Sequence, residues 1–281
     1  MGSPSFPATT ASTPVAAKRS PAMATLAGTT IAGLCCLGAA LPAKAAVVAN
    51  YEFQNTLSST ILTAPDLVPF VLGTYAPAVI GGTPTTVYNF GQNEGLSLDT
   101  TGLISDNYTI AALFSFNNIS NYRKILDFKN LTKDRGLYTF EGQLNFFDAA
   151  IGGPAVGPGT FLEAVLTRDS STKLVSAYFD GNLVFSFTDS SSDGVISVDN
   201  LLNIFQDDAD VGGESSSGSV AGIRIFDNVL TDAEVADLDL ITPSVPPTSQ
   251  VPGPLPLLGV GAAFGWSRRL RSRLRRSTPT V

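Results

Sequence analysis

The chain has 281 residues, rich in Gly (26), Pro (18) and Phe (17), with only 15% charged side chains. All 24 Asp and Glu lie between Glu52 and Asp239, alongside 8 of the 17 Lys and Arg, so that span carries a net charge of −16 and the whole-chain value of −7 hides a strongly acidic centre. Such a surface repels nucleic acid and anionic lipid, and the absence of any His excludes Ser-His-Asp and Cys-His catalysis and His-based zinc sites.

The chain opens on a Ser/Thr/Pro/Ala-rich stretch, residues 1–22, carrying Lys18 and Arg19. Residues 23–41 are apolar and small. Ala43-Lys44-Ala45 then offers an A-x-A cleavage signal before Ala46. A basic region, an apolar region and a small-residue cut is the order of a secretory signal peptide, here residues 1–45. The competing reading is a buried core helix. Cys35 and Cys36, the two cysteines, fall inside the leader, so a processed chain has no thiol and no disulfide to staple it.

Residues 47–53 read as a first strand. Residues 54–85 hold Pro, Gly and short apolar runs in which no strand can be placed. Residues 86–90 and 96–99 read as short strands. From Tyr108 the pattern is clean: Tyr108, Ile110, Ala112, Phe114 and Phe116 alternate, placing large apolar groups on one face. Strands follow at 124–128, 136–140 and 143–147, then a Gly/Pro loop at 149–159. Further strands read at 161–168, 173–179, 183–187, 200–205 and 220–226. Asp180-Gly181 between two of them is a type I′ hairpin signal. About a dozen short strands with turn chemistry between them predict an all-β sandwich or jelly roll of residues 46–241.

One short helix closes this region. Thr231 at the N-cap and Glu234 at N3 form a capping box, and Leu230 and Val235 occupy the hydrophobic-staple positions. Asp232 adds favourable charge to the first turn. A helix this short needs a surface to dock on, through Val235 and Leu238. Residues 242–250 are a Pro/Ser/Thr linker. Residues 251–276 run from Pro252-Gly253-Pro254 through an apolar stretch ending at Trp266 to a cluster of arginines, and residues 277–281 are a disordered end. The apolar run is shorter than the ~20 residues of a straightforward membrane span. Its arginines favour the cytoplasmic side, so it reads as a sorting tail with transient membrane contact. A basic amphipathic or disordered end is the alternative.

Two resemblances follow from these residues. The tail resembles the PEP-CTERM sorting signal of bacterial envelope proteins, with Pro252-Gly253-Pro254 where the name-giving pattern has Pro-Glu-Pro. That resemblance implies export machinery and an exosortase-type protease as partners, in a Gram-negative-type bacterium, with the protein at the cell surface or outside the cell. The central region resembles bacterial LamG-like proteins of the concanavalin A-like jelly-roll superfamily. The fragments that carry it are Tyr108-Thr109-Ile110-Ala111, Tyr122-Arg123-Lys124-Ile125-Leu126-Asp127-Phe128, Asp134-Arg135-Gly136-Leu137-Tyr138, Tyr178-Phe179-Asp180-Gly181, Phe205-Gln206-Asp207-Asp208 and Ile223-Arg224-Ile225-Phe226-Asp227, in that order. It implies a concanavalin A-like sandwich in an exported protein, but no fixed activity; a glycan or exopolysaccharide partner is what the resemblance of the sorting tail implies.

The densest chemical cluster is Asp207, Asp208 and Asp210 with Glu214. Close-set hard oxygen donors suit Ca²⁺; a solvated acidic loop is the other reading. Asp127 and Asp134 are read as turn-setting residues. A glycosidase needs paired carboxylates, and the E-x-D-x-x-E strand pattern of the superfamily's enzymes is absent, with Glu163 alone on its strand. The expectation is therefore a non-enzyme with no catalytic residue. Tyr122, Tyr138 and Tyr178 are the aromatic candidates for stacking on a sugar, or else core residues; the region has no Trp.

Overall fold

The computed structural model describes residues 45–241. Residues 1–44, including Ala43, lie outside the described residues, as do residues 242–281 with Pro252, Gly253 and Pro254. Among the described residues the elements are, in order, β1 (Val47–Tyr51), β2 (Val68–Pro69), β3 (Thr74–Ile80), β4 (Thr83–Phe90), β5 (Leu96–Asp99), β6 (Tyr108–Phe116), β7 (Tyr122–Asp127) and β8 (Leu137–Phe140). Then come β9 (Gln143–Phe146), β10 (Ala150–Gly152), β11 (Leu162–Arg168), β12 (Leu174–Phe179), β13 (Asn182–Thr188), β14 (Leu201–Ile204), β15 (Gly218–Phe226) and α1 (Asp232–Ala236).

The strands form two antiparallel sheets. One runs β13-β12-β11-β6-β15-β4-β3, with β1 paired to the second half of β15; the other runs β10-β9-β8-β7-β14-β5-β2. This is the expected jelly-roll-like sandwich with one short helix. The alternating residues Tyr108, Ile110, Ala112, Phe114 and Phe116 of β6 all enter the main core between the sheets. At its centre Phe205 stacks on Phe90 at 4.6 Å and nearly parallel, with Phe114 tilted 5.0 Å away. Aromatic contacts of this kind add to the area they bury.

The opposite face of β6 is also buried, which alternation alone did not indicate. Ala111 and Leu113 join a second cluster with Val165, Tyr178, Leu230, Val235 and Leu240. That is where α1 docks. Thr231 Oγ1 accepts from the Glu234 amide at 3.3 Å, and Glu234 Oε2 accepts from the Thr231 amide at 3.0 Å, so the capping box is formed. Leu230 and Val235 are both buried and Leu238 packs beside them.

β2 and β3 lie in the stretch 54–85, where no strand could be placed from sequence, and β10 lies within the expected Gly/Pro loop 149–159. β2 and β10 are two- and three-residue edge pieces. β3 carries Pro77 within it; it survives because β3 is an edge strand bonded only to β4, where a missing donor costs no ladder bond. The Asp180-Gly181 hairpin has φ of 45° and 76° at its two turn residues, as a type I′ turn requires.

Candidate functional site

Strand pairing sorts the residues of the β7 sheet into two faces. Leu126, Leu137, Leu144, Phe146, Leu202 and Ile204 point into the core. Lys124 lies opposite Tyr138, Tyr138 opposite Asn145, and Asp127 opposite Asn203; these alternate with the core residues and occupy the outer face. The β14–β15 connection folds over that face. Phe205 turns the chain with φ 57°, and the loop is then bonded down. The Lys124 amide donates to the Glu214 carbonyl at 2.8 Å, the Ala209 amide to Leu131 O at 3.1 Å, and Arg123 Nη1 to Gly213 O at 2.7 Å.

Two aspartates shape the loop. Asp207 accepts from the amides of Gly213 and Glu214 through Oδ2, both at 2.8 Å, and from the Asp208 amide through Oδ1. Asp208 accepts from the amides of Asp210 and Val211 through Oδ1, and from the ammonium of Lys124 through Oδ2. Lys124 is fully buried, 3.6 Å from Asp127 Oδ2 and 4.8 Å from the centre of the Tyr138 ring. A buried ammonium is tolerable only with counter-ions at hand, and the acidic loop supplies one. The solvated reading therefore fits Asp210, which is exposed, and not Asp207 or Asp208, which are buried.

Electrostatics divide these carboxyls. Burial works against charge on Asp208, but the Lys124 bond and the two amides outweigh it and hold its carboxyl below the usual range. Burial raises Asp127 and Asp207. Glu214 is pushed up to about 7, by burial first and then by Asp134 and Asp207. Its Oε2 is buried without a hydrogen-bond partner. Asp134 accepts from the Tyr138 hydroxyl at 2.6 Å; burial and that bond raise the phenol.

Asp134, Asp208 and Glu214 each offer a carboxylate oxygen within 4.8 Å of the others. Of the four residues expected to form a metal site, Asp208 and Glu214 come together. Asp207 is committed to loop amides, and Asp210 lines a neighbouring groove. Asp134 joins them from the β7–β8 loop. Asp127 does set a turn, accepting from the amides of Lys129 and Leu131. Three hard oxygens are part of what a calcium shell of six to eight takes, and one of them, Asp208 Oδ2, already accepts from Lys124.

Beside this cluster the surface is concave. A groove of ≈ 570 Å³ is lined by Lys133, Asp134, Arg135, Ser191, Asp193, Asp210 and Val211. It adjoins a second of ≈ 300 Å³ that shares Arg135, Ser191 and Asp193 and adds Phe147 and Asp148. The Arg135 guanidinium lies 5.3 Å above the Phe147 ring, 3.6 Å from Asp193 and 3.8 Å from Asp148. These pairs are partly exposed and weak, and Arg135 Nη1 also donates to the Asp134 carbonyl at 3.1 Å. The groove walls are closely packed and hydrogen-bonded. Gly136, with φ 130°, lets the chain pass so close to Leu126 that a Cβ would meet its carbonyl oxygen at 2.1 Å. On the other wall Asp189 accepts from the amides of Asp193 and Gly194, and its carboxylate pairs with buried Arg168 at 2.8 Å.

Neither Arg135 nor Asp193 was singled out from sequence, nor was Phe147. The one sequence signal near them is the Asp134-Arg135-Gly136 fragment. Of the three tyrosines, Tyr138 and Tyr178 are buried, while Tyr122 is half-buried on the outer face and packs tilted against Phe140 at 4.5 Å. Glu163 is not isolated in space: it shares a cleft with Asp180 and Asp239 beneath the C-terminal segment, and its carboxyl is pushed up to about 7 by burial and Asp180.

Residues 90–236 match the family model of the concanavalin A-like lectin/glucanases superfamily. Among solved structures, domain 4 of AbnA, an extracellular arabinanase from Geobacillus stearothermophilus, crystallised with arabinotriose, is similar with a TM-score of 0.54 and 15% identity, over 69% of this chain and 98% of that one. The receptor-binding domain of botulinum neurotoxin type G gives a TM-score of 0.47 at 12% identity, over 68% of this chain and 50% of that one. The CBM40 of a Ruminococcus gnavus sialidase, bound to α2,3-sialyllactose, gives 0.43 at 18%, over 53% and 93%. No curated protein matches the sequence. On the family match and the two-sheet topology, the chain belongs to the concanavalin A-like lectin/glucanases superfamily.

Proposed function

We propose that this protein is an exported, non-catalytic carbohydrate-binding domain acting at the cell envelope or outside the cell. The observation that carries this reading is the groove at Arg135. It combines a fork of donors, seated on the Phe147 ring, with acceptor carboxylates at Asp134 and Asp193, on walls held by buried bonds. Planar donors and acceptors recognise paired sugar hydroxyls. AbnA domain 4, of the same fold, was crystallised with arabinotriose, which puts neutral oligosaccharides first among ligands to test.

Export rests on residues 1–45 in the order of a signal peptide, and sorting by an exosortase-type protease on the resemblance of residues 251–276. Exopolysaccharide is the ligand class this sorting suggests. Calcium belongs to the same reading, with Asp134 and Glu214 as carboxylate ligands and Asp208 Oδ2, which already accepts from Lys124, sharing its second lone pair as a third. A glycan array with the processed chain tests the proposal: oligosaccharide hits support it. Silence would favour a structural envelope protein without a small ligand.

A hydrolase is the second reading, favoured by the contrast between a raised Glu214 and a lowered Asp208 within one cluster. Against it, both oxygens of Asp208 are already engaged by Lys124 and two amides. Release of reducing sugar from oligosaccharides would establish it.

A further inference from the structure

Ala46, the first residue after the Ala43-Lys44-Ala45 signal, is already bound to the fold through its main chain. Its amide donates to Oδ1 of Asp227 at 2.8 Å. Its carbonyl accepts from the Asp227 amide at 3.1 Å. The next residue, Val47, opens β1 and pairs with Phe226 of β15.

Asp227 is itself held in place. Asn107 Nδ2 donates to its carbonyl at 3.2 Å and to Asn228 Oδ1 at 2.9 Å. Thr109 Oγ1 donates to the Asn228 carbonyl at 2.9 Å, and its own oxygen accepts from the Leu230 amide. A pinned turn, fixed to β6, thus aims a carboxylate at one particular backbone nitrogen.

In the uncut chain that nitrogen is a neutral amide. Hydrolysis of the Ala45–Ala46 bond consumes one water: the Ala45 carbonyl becomes a carboxylate, and the Ala46 nitrogen becomes an amine that takes up a proton. We infer that Asp227 is the receptor for this new α-ammonium, so that leader removal converts a neutral hydrogen bond into an ion pair. This rests on the proposed cleavage after Ala45. The charge-assisted bond is the stronger kind, and it acts at the outer end of β1, where an untied terminal strand frays. Both partners are exposed, so the pair is screened by salt. Export and the strength of the β1–β15 pairing are thereby coupled: the strand gains its charged clamp only once the leader is gone.

The test uses the chain from Ala46 to Val281, released from a fusion by a protease that leaves no extra residue. NMR titration of the α-ammonium is expected to give a pKa raised by about half a unit or more above the ordinary ~7.7–8.0. Asp227→Asn should return it to the ordinary range, as should a single Gly placed before Ala46, which moves the charge away without touching the turn. Equal values in all three chains would overturn the inference. In parallel, the N-terminus of the full-length chain exported by a bacterial host should be Ala46. A different start overturns the cleavage reading, and the titration distinguishes that failure from failure of the ion pair.

Discussion

Lys124 and Asp208, 84 positions apart, meet as an ammonium–carboxylate pair with both side chains fully buried. The pair ties strand β7 to the loop that crosses it, and Asp127 at 3.6 Å shares the charge. Asp208→Asn should cost about 3–5 kcal/mol, because it strips the ammonium of its nearest counter-ion. Lys124→Met with Asp208→Asn should cost less than the two single losses added together. Urea unfolding of the four proteins measures this; additive losses would mean the pair is not coupled.

Arg135 is the centre of the proposed ligand groove and only a third exposed, yet its own ion pairs are weak. Arg135→Ala should reduce glycan binding at least tenfold while shifting the melting temperature by no more than about 2 °C. Phe147→Ala should weaken binding in parallel, by removal of the ring that seats the Arg135 guanidinium. A variant with unchanged affinity would move the ligand elsewhere on the sandwich.

Glu214 and Glu163 both have carboxyls raised from 4.5 to about 7 by burial. A carboxyl that binds its proton more tightly when folded contributes stability that is complete below its unfolded pKa and lost as pH rises through the folded value. Melting temperature should therefore fall between pH 5 and pH 8. The double variant Glu163→Gln, Glu214→Gln should flatten that slope. Asp208, Asp99 and Asp169, lowered in the fold, act in the opposite direction below pH 4. A native curve that rises from pH 5 to pH 8 would contradict the reading.

Calcium at Asp134, Asp208 and Glu214 requires Glu214 ionised. Millimolar Ca²⁺ should raise the melting temperature, and the gain should be larger at pH 8 than at pH 6. Asp134→Asn should remove the gain while sparing the Lys124 pair. No stabilisation by calcium at pH 8 would count against the site.

What sequence could show here was local. The capping box of α1 needs only Thr231 and Glu234, three residues apart, and Thr231→Ala should cost about 1 kcal/mol. The face of β6 was legible because its aromatics alternate. β3 was not, because Pro77 reads as a breaker until the strand is known to lie on an edge. The same division runs through the site. Asp208 and Glu214 stood out as neighbours in a short acidic run. Lys124, Asp134, Arg135 and Asp193 arrive from three separate connections and strands, and only folding places them together.

The most direct measurement is calorimetric titration of the chain beginning at Ala46 with the best hit of a neutral-oligosaccharide array, alongside Arg135→Ala. The expected result is saturable binding by the native chain and loss of it in the variant. A folded native chain that binds no oligosaccharide, with or without calcium, would contradict a carbohydrate-binding role.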